Sequence, residues 1–97
     1  KYDESIETYL AALDKLDKAK GLPAAQKERL KDRVRYELSS VYVDNKDIDK
    51  AAKQLQILIK NNPDSPTYKN DLGFIWADHD MNLEESEKLI REALDLD

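Results

Sequence analysis

The chain has 97 residues, 40% of them hydrophobic and 38% charged, with a formal net charge of −5. This length suits one domain with a modest core, and the low glycine and proline content argues against a disordered tail or a β-sandwich. Its bases are interleaved with more numerous acids, which argues against partners that need a basic stripe, namely nucleic acids and anionic membranes.

Four clusters of helix-breaking residues divide the chain into five segments with helical periodicity. Each segment carries apolar residues three or four positions apart, and the connections are short, so neighbouring helices are predicted to run antiparallel. The predicted helices run from about Asp3 to Lys20, from Pro23 to Val43, from Asp47 to Lys60, onward from the N-cap Ser65, and onward from Asn82. Their apolar stripes are, in chain order, Ile6, Tyr9, Leu10, Leu13 and Leu16; Leu30, Val34, Leu38 and Val41; Ile48, Ala51, Ala52, Leu55, Leu58 and Ile59; Tyr68, Leu72, Ile75 and Trp76; and Leu83, Leu89, Ile90, Ala93 and Leu94.

The sequence repeats itself at a shift of 34 residues, a period typical of helical repeat arrays. A leucine, a small residue and an aromatic residue one turn later occur twice, as Leu38, Ser39 and Tyr42, and as Leu72, Gly73 and Trp76. A second pattern of small and large residues follows each time, as Ala51, Leu55 and Leu58, and as Ser86, Ile90 and Ala93. Helix one carries the same half-pattern at Tyr2, Ser5, Tyr9, Ala12 and Leu13.

This double pattern resembles the tetratricopeptide-repeat (TPR) family and is similar to a fragment of a bacterial-type TPR array. The resemblance implies an all-α fold, a right-handed α-solenoid of antiparallel helical hairpins built from five helices. It also implies one TPR-like domain over residues 1–97, in which 1–20 is the extended second helix of a partial repeat. Residues 23–63 then form a full repeat with an extended first helix, and 65–97 form a second full repeat.

The chain departs from the family pattern at several positions. Arg35 and Lys69 occupy the place of the family's tryptophan, and Leu58 is larger than the usual alanine. The second repeat has one extra residue in the turn at 78–82, and about twelve extra residues lie between helices one and two. We expect these extra residues to lengthen both helices into a protruding hairpin tip near Gly21.

In TPR proteins the first helix of every repeat lines a concave face that binds a peptide or protein segment. The resemblance therefore implies a protein-interaction scaffold rather than an enzyme. Phe74 is expected either to anchor such a ligand or to pack against a neighbouring helix, and the alternative function is self-assembly into a homo-oligomer through exposed solenoid ends. The concave-face residues implied by position are Arg33, Tyr36, Ser40, Val43, Thr67, Asn70, Phe74 and Ala77.

The sequence does not indicate metal binding or catalysis. His79 lies between two aspartates in a short turn, where such residues are simply turn-forming, so neither a metal nor another cofactor is predicted. Glu84, Glu85 and Glu87 suit the start of a helix better than acid–base catalysis. The sequence has no cysteine, no visible signal peptide and no membrane-spanning run. The expectation is a soluble protein, and these features do not decide between the cytoplasm and the periplasm.

Overall fold

The computed structural model describes residues 1–96 and contains five α-helices in that range, with no strand. They are α1 (Tyr2–Lys18), α2 (Ala24–Asp44), α3 (Ile48–Asn61), α4 (Pro66–Asp78) and α5 (Leu83–Leu96). The prediction of an all-α fold with five helices is confirmed, while its solenoid arrangement stays a prediction. The predicted repeat at 65–97 ends on Asp97, which lies outside the described residues. None of the helices in the described part of the chain is long and apolar enough to cross a bilayer.

The helices belong to two compact units that divide within α3. The first unit comprises Lys1–Gln54, and the second contains the described residues from Leu55 onward. In the first unit α1 packs against α2, and in the second α4 packs against α5.

The core of the first unit joins α2 to the beginning of α3. Leu38, Tyr42 and Ala51 are buried together, and a ring of partly buried residues packs around them. Burying a large apolar side chain is worth about 1.5–3 kcal/mol, so this cluster holds the unit together. The surrounding residues are Ile6, Tyr9 and Leu13 of α1 and Val43 of α2.

Polar contacts show that α1 and α2 are antiparallel. Tyr9, near the middle of α1, hydrogen-bonds the Glu37 carboxylate, and this bond raises the pKa of the Tyr9 phenol. Asp17, at the end of α1, lies 2.9 Å from Lys31 in the first half of α2. The two helices therefore meet at the turn around Gly21, whose φ of 88° is a left-handed conformation that glycine tolerates best.

The part of this hairpin next to the turn is held by a network of charges. Lys31 lies 2.9 Å from Asp17 and 3.3 Å from Glu28, and Arg35 pairs with Glu28 and with Asp32 at 3.1 and 2.6 Å. The bond from Lys31 lowers the pKa of the Asp17 carboxyl, the bond from Arg35 lowers that of Glu28, and the bond to Asp17 raises that of the Lys31 ammonium. This network joins Asp17 of α1 to four residues of α2, and α2 has 21 residues against 13 in α4.

Helix α2 ends in a Schellman motif, a C-terminal cap closed by two backbone bonds. The N–H of Asp47 donates to the carbonyl of Tyr42 at 2.8 Å, and that of Lys46 donates to Val43 at 2.9 Å. Lys46 takes the left-handed conformation with φ of 65°. Such a position usually holds glycine, so the sequence gives no sign of this cap.

Helix α4 ends in the same motif, 34 residues further along. Met81 N–H donates to Trp76 at 2.8 Å, and Asp80 N–H donates to Ala77 at 3.2 Å. Asp80 has φ of 53°, in the place that Lys46 holds after α2. The sequence repeat therefore extends to the backbone conformation at the two helix ends.

The two turns differ after the cap, and this difference locates the extra residue of the second repeat. Asp47 closes the cap of α2, and its own carbonyl accepts the bond from Ala51 that opens α3. In the turn between α4 and α5, two residues make these bonds: Met81 closes the cap, and the carbonyl of Asn82 accepts the bond from Ser86 that opens α5.

The second unit buries one face of α4 and part of α5. Leu72, Gly73 and Trp76 of α4 are buried, as are Ser86 and Ala93 of α5. Two residues of the predicted α5 stripe differ from expectation, because they are exposed: Leu83 at 56% and Leu94 at 68%. Leu94 directly follows the buried Ala93, and Leu83 lies three positions before the buried Ser86.

Candidate binding surface

The predicted binding residues of α4 lie along one side of that helix. Thr67, Asn70, Phe74 and Ala77 are three or four positions apart, which places them one above another. Thr67 and Ala77 are exposed, and Asn70 is half-buried. Phe74 is 58% exposed, so most of an aromatic ring faces solvent in the middle of a helix.

The buried side of α4 explains why Phe74 points outward. Leu72, Gly73 and Trp76 are buried, and the hydroxyl of Ser86 on α5 donates a 2.6 Å hydrogen bond to the Gly73 carbonyl. A residue next to Gly73 in sequence is turned about 100° around the helix. The contact with α5 therefore places Phe74 on the exposed side.

The close approach at Gly73 depends on its missing side chain. A Cβ built on Gly73 would lie 2.6 Å from Ile90 Cγ1 and 3.0 Å from the carbonyl oxygen of Ser86. Both distances are shorter than ordinary contacts between non-bonded atoms. The small residue that the sequence pattern singled out thus lies where α4 and α5 pack without room for a side chain.

The predicted binding residues of α2 follow the same spacing on that helix. Arg33 and Ser40 are exposed, whereas Tyr36 is half-buried. Ser40 donates a 3.3 Å hydrogen bond to the Tyr36 carbonyl one turn earlier. Val43 is partly buried against the core of the first unit, so it has a packing role besides any role in binding.

The structure brings Thr67 and Asn70 into one shallow depression with residues of α5. This depression has a volume of about 270 Å³, and its rim includes the exposed Leu94. Leu94 was predicted to belong to the apolar stripe of α5 because it follows the spacing of that stripe. Its exposure follows from which part of α5 faces α4, and the sequence pattern carries no signal for that. The lining residues are Pro66, Thr67, Asn70, Ala93 and Leu94.

Arg35 and Lys69, at the position of the TPR tryptophan, are both largely covered. The side chain of Arg35 is 11% exposed and pairs with Asp32 and Glu28. The side chain of Lys69 is 15% exposed and lies 3.6 Å from Glu92 on α5. The long aliphatic stems of arginine and lysine can cover apolar surface, so each fills a buried position while its charge is matched by an acid.

His79 takes part in ending α4. Its Nδ1 lies 2.9 Å from the carbonyl oxygen of Ile75, within the turn that the left-handed Asp80 closes. Within residues 1–96, no three acidic or histidine side chains come together in a way that could hold a metal ion.

Comparison with known proteins leaves the family open. No protein-family model matches the chain, and no curated protein matches it in sequence. The TPR assignment therefore rests on the residue pattern alone.

Proposed function

We propose that this protein is a non-enzymatic interaction module of the TPR type that binds a peptide or protein segment through the exposed sides of α2 and α4. The observation that carries the proposal is Phe74, a large aromatic side chain that is 58% exposed. Aromatic residues concentrate binding energy in protein interfaces because they remove much apolar area from water at a low entropic cost.

A binding role for α4 is supported by the fact that its buried residues and its exposed aromatic residue are different ones. Packing is satisfied by Leu72, Gly73 and Trp76, all of them buried. Phe74 adds nothing comparable to that packing, since its ring is 58% exposed. A partner that covers its ring would turn this apolar surface into binding energy.

The TPR resemblance extends the proposal to α2. The stripe Arg33, Tyr36, Ser40 and Val43 matches the α4 stripe position by position at the 34-residue shift. In TPR arrays the first helix of every repeat carries binding residues, so the resemblance gives the α2 stripe a binding role as well. Tyr36 and Phe74 are then the two aromatic anchors.

A capture experiment with paired variants tests this function. The parent protein and a Tyr36→Ala, Phe74→Ala double variant are immobilised and exposed to a displayed library of random peptides. We expect specific peptides on the parent and at least a tenfold loss of their binding to the double variant, as for interface anchors. Circular dichroism checks that the variant keeps its helices.

Leu10→Ala serves as the matched control for this experiment. Leu10 is also an exposed apolar residue, but it lies on α1, outside both stripes. Equal loss of binding in the control and in the double variant would mean that the peptides bind apolar surface without selectivity, and the proposal would then be wrong.

The alternative function is self-assembly, and the exposed leucines of α5 favour it. Leu83 and Leu94 are both more than half exposed, and their spacing places them on the same side of the helix. Light scattering over a range of concentrations tests this alternative. A mass that rises with concentration in the parent and stays monomeric in Leu94→Glu would support it, whereas a monomer throughout would exclude it.

A further inference from the structure

The charged side chain next to Phe74 on the exposed side of α4 is negative. Asp78 is exposed and follows Phe74 by four positions, so the two side chains are neighbours on the helix surface. The only lysine or arginine in α4 is Lys69. It is largely covered and lies 3.6 Å from Glu92 of α5, so its charge is matched away from the Phe74 side.

Asp78 occupies the end of a helix where an acid is unfavourable. It is the last residue of α4, and the last turn contains no basic residue to offset it. The carboxyl end of a helix carries a partial negative charge, which repels another anion. The aspartate therefore adds to a negative potential that the helix already creates.

The same arrangement occurs at the end of α2. Asp44 is the last residue of that helix, is exposed, and has no basic residue in its last turn. Asp44 and Asp78 are matched by the 34-residue shift. The exposed Lys46 follows Asp44 two positions later, whereas no lysine or arginine lies between α4 and α5. The acid at the end of α4 is therefore the one whose cost to helix stability a positively charged ligand would offset in the bound state.

We infer that the partner of the Phe74 surface is a basic segment, one that carries arginine or lysine next to an apolar residue. The inference rests on the proposed function and specifies its ligand. The apolar residue and the Phe74 ring exclude water from each other, and the guanidinium or ammonium group pairs with the Asp78 carboxylate. A cation can also lie over the face of an aromatic ring. The net charge of −5 would speed the approach of such a segment and slow that of an acidic one.

The test uses the displayed peptide library on the full chain, and it examines the composition of the peptides that bind. Those whose capture depends on Phe74 are expected to be enriched in arginine and lysine, next to leucine or an aromatic residue. The best of them is synthesised with a fluorescent label, together with a version in which glutamate replaces each basic residue. Binding is measured by anisotropy at low and at physiological salt.

Two isosteric variants isolate the contribution of the charge. Asp78→Asn is expected to weaken binding of the basic peptide about two- to fivefold at low salt, the range for an exposed ion pair, and to reduce its salt dependence. Asp95→Asn is the matched control, because Asp95 is also an exposed acid in the last turn of a helix, on α5. It should leave binding unchanged.

The outcomes separate this inference from the function on which it rests. Phe74-dependent peptides that are neutral or acidic, or basic peptides that bind Asp78→Asn as tightly as the parent, would overturn the basic partner and leave the binding function in place. A library that yields no Phe74-dependent peptide would overturn both. Equal weakening by Asp78→Asn and Asp95→Asn would show a general effect of net charge, and the local pairing would then be wrong.

Discussion

The hydroxyl of Ser86 donates a 2.6 Å hydrogen bond to the backbone carbonyl of Gly73, so the tight contact between α4 and α5 at this glycine is also a polar one. Both residues are buried. The glycine removes the side chain that would separate the helices, and the serine supplies a donor that stays satisfied away from water. This pair fixes which side of α4 faces inward, and with it the exposure of Phe74.

The first prediction concerns space at this contact. Gly73→Ala is expected to lower the free energy of unfolding by about 1–2 kcal/mol. Overpacking costs up to about 3 kcal/mol, whereas the higher helix propensity of alanine stabilises the helix by only about 1 kcal/mol. Urea denaturation followed by circular dichroism measures the change. Ser39→Ala, at the matched position of α2, is the control.

The control is expected to change stability by no more than about 0.5 kcal/mol, because the Ser39 hydroxyl bonds the Tyr36 carbonyl within its own helix and alanine is the better helix former. A Gly73→Ala protein as stable as the parent would show that α4 and α5 can separate at no cost.

The second prediction concerns the two left-handed caps. Lys46→Gly and Asp80→Gly are each expected to raise stability by about 0.5–1 kcal/mol, because glycine adopts a positive φ without the steric cost that other residues bear. Thermal and urea midpoints measure the gain. Lys53→Gly, at an exposed position inside α3, should instead lose about 1 kcal/mol. A loss in the two cap variants as well would contradict the proposed source of strain.

The third prediction concerns acid sensitivity of the α1–α2 hairpin. The pKa values of Asp17 and Glu28 are lowered in the folded protein, so the unfolded chain binds protons more readily. The stabilisation by these groups is present above their unfolded values of about 4 and is lost as pH falls through the lower folded values.

Glu28→Gln tests this pH dependence. At neutral pH the variant is expected to lose no more than about 1 kcal/mol, because the pair is exposed to solvent and screened. Between about pH 5 and 2, its unfolding free energy should fall less steeply than that of the parent. Glu7→Gln, an exposed acid inside α1 and outside the charge network, is the control. Parallel curves for Glu28→Gln and the parent would rule out a contribution from the network.

The fourth prediction separates the two aromatic residues of α4. Trp76 is 7% exposed and Phe74 is 58% exposed. Trp76→Ala is expected to cost about 3–5 kcal/mol, as for large core residues, whereas Phe74→Ala should stay within about 0.5 kcal/mol of the parent, as a surface substitution does. Denaturation curves measure both changes in the free energy of unfolding, and a large loss of stability in Phe74→Ala would show that Phe74 is a core residue.

Periodicity and breakers predicted the number and type of the helices because both depend on local chain chemistry. Several bounds shifted slightly: α1 ends at Lys18 rather than Lys20, and Pro23 is the N-cap of α2 rather than its first residue. Ser65 holds the N-cap position of α4 as predicted, but its side chain makes no capping hydrogen bond.

Features that depend on how helices meet could not be predicted in this way. The pairing of Lys69 with Glu92 depends on the register between α4 and α5, and the exposure of Leu94 depends on which part of α5 meets α4. The left-handed positions of the two caps hold Lys46 and Asp80 and not glycine, so the sequence does not indicate these caps. The candidate binding residues came from matching positions to a family pattern, and among them Phe74 has the exposure that an anchor requires.

Asp47 both closes the cap of α2 and begins α3, and this limits how far the backbone can rotate between the two helices. Because the N–H and the carbonyl of this one residue are both hydrogen-bonded, the backbone there has little rotational freedom, and a rotation at the end of α2 is passed on to the start of α3. The turn at Met81 and Asn82 has one more peptide unit and can absorb such a rotation. Engineered insertions should therefore be tolerated between α4 and α5, and any length change between α2 and α3 should uncouple the helices.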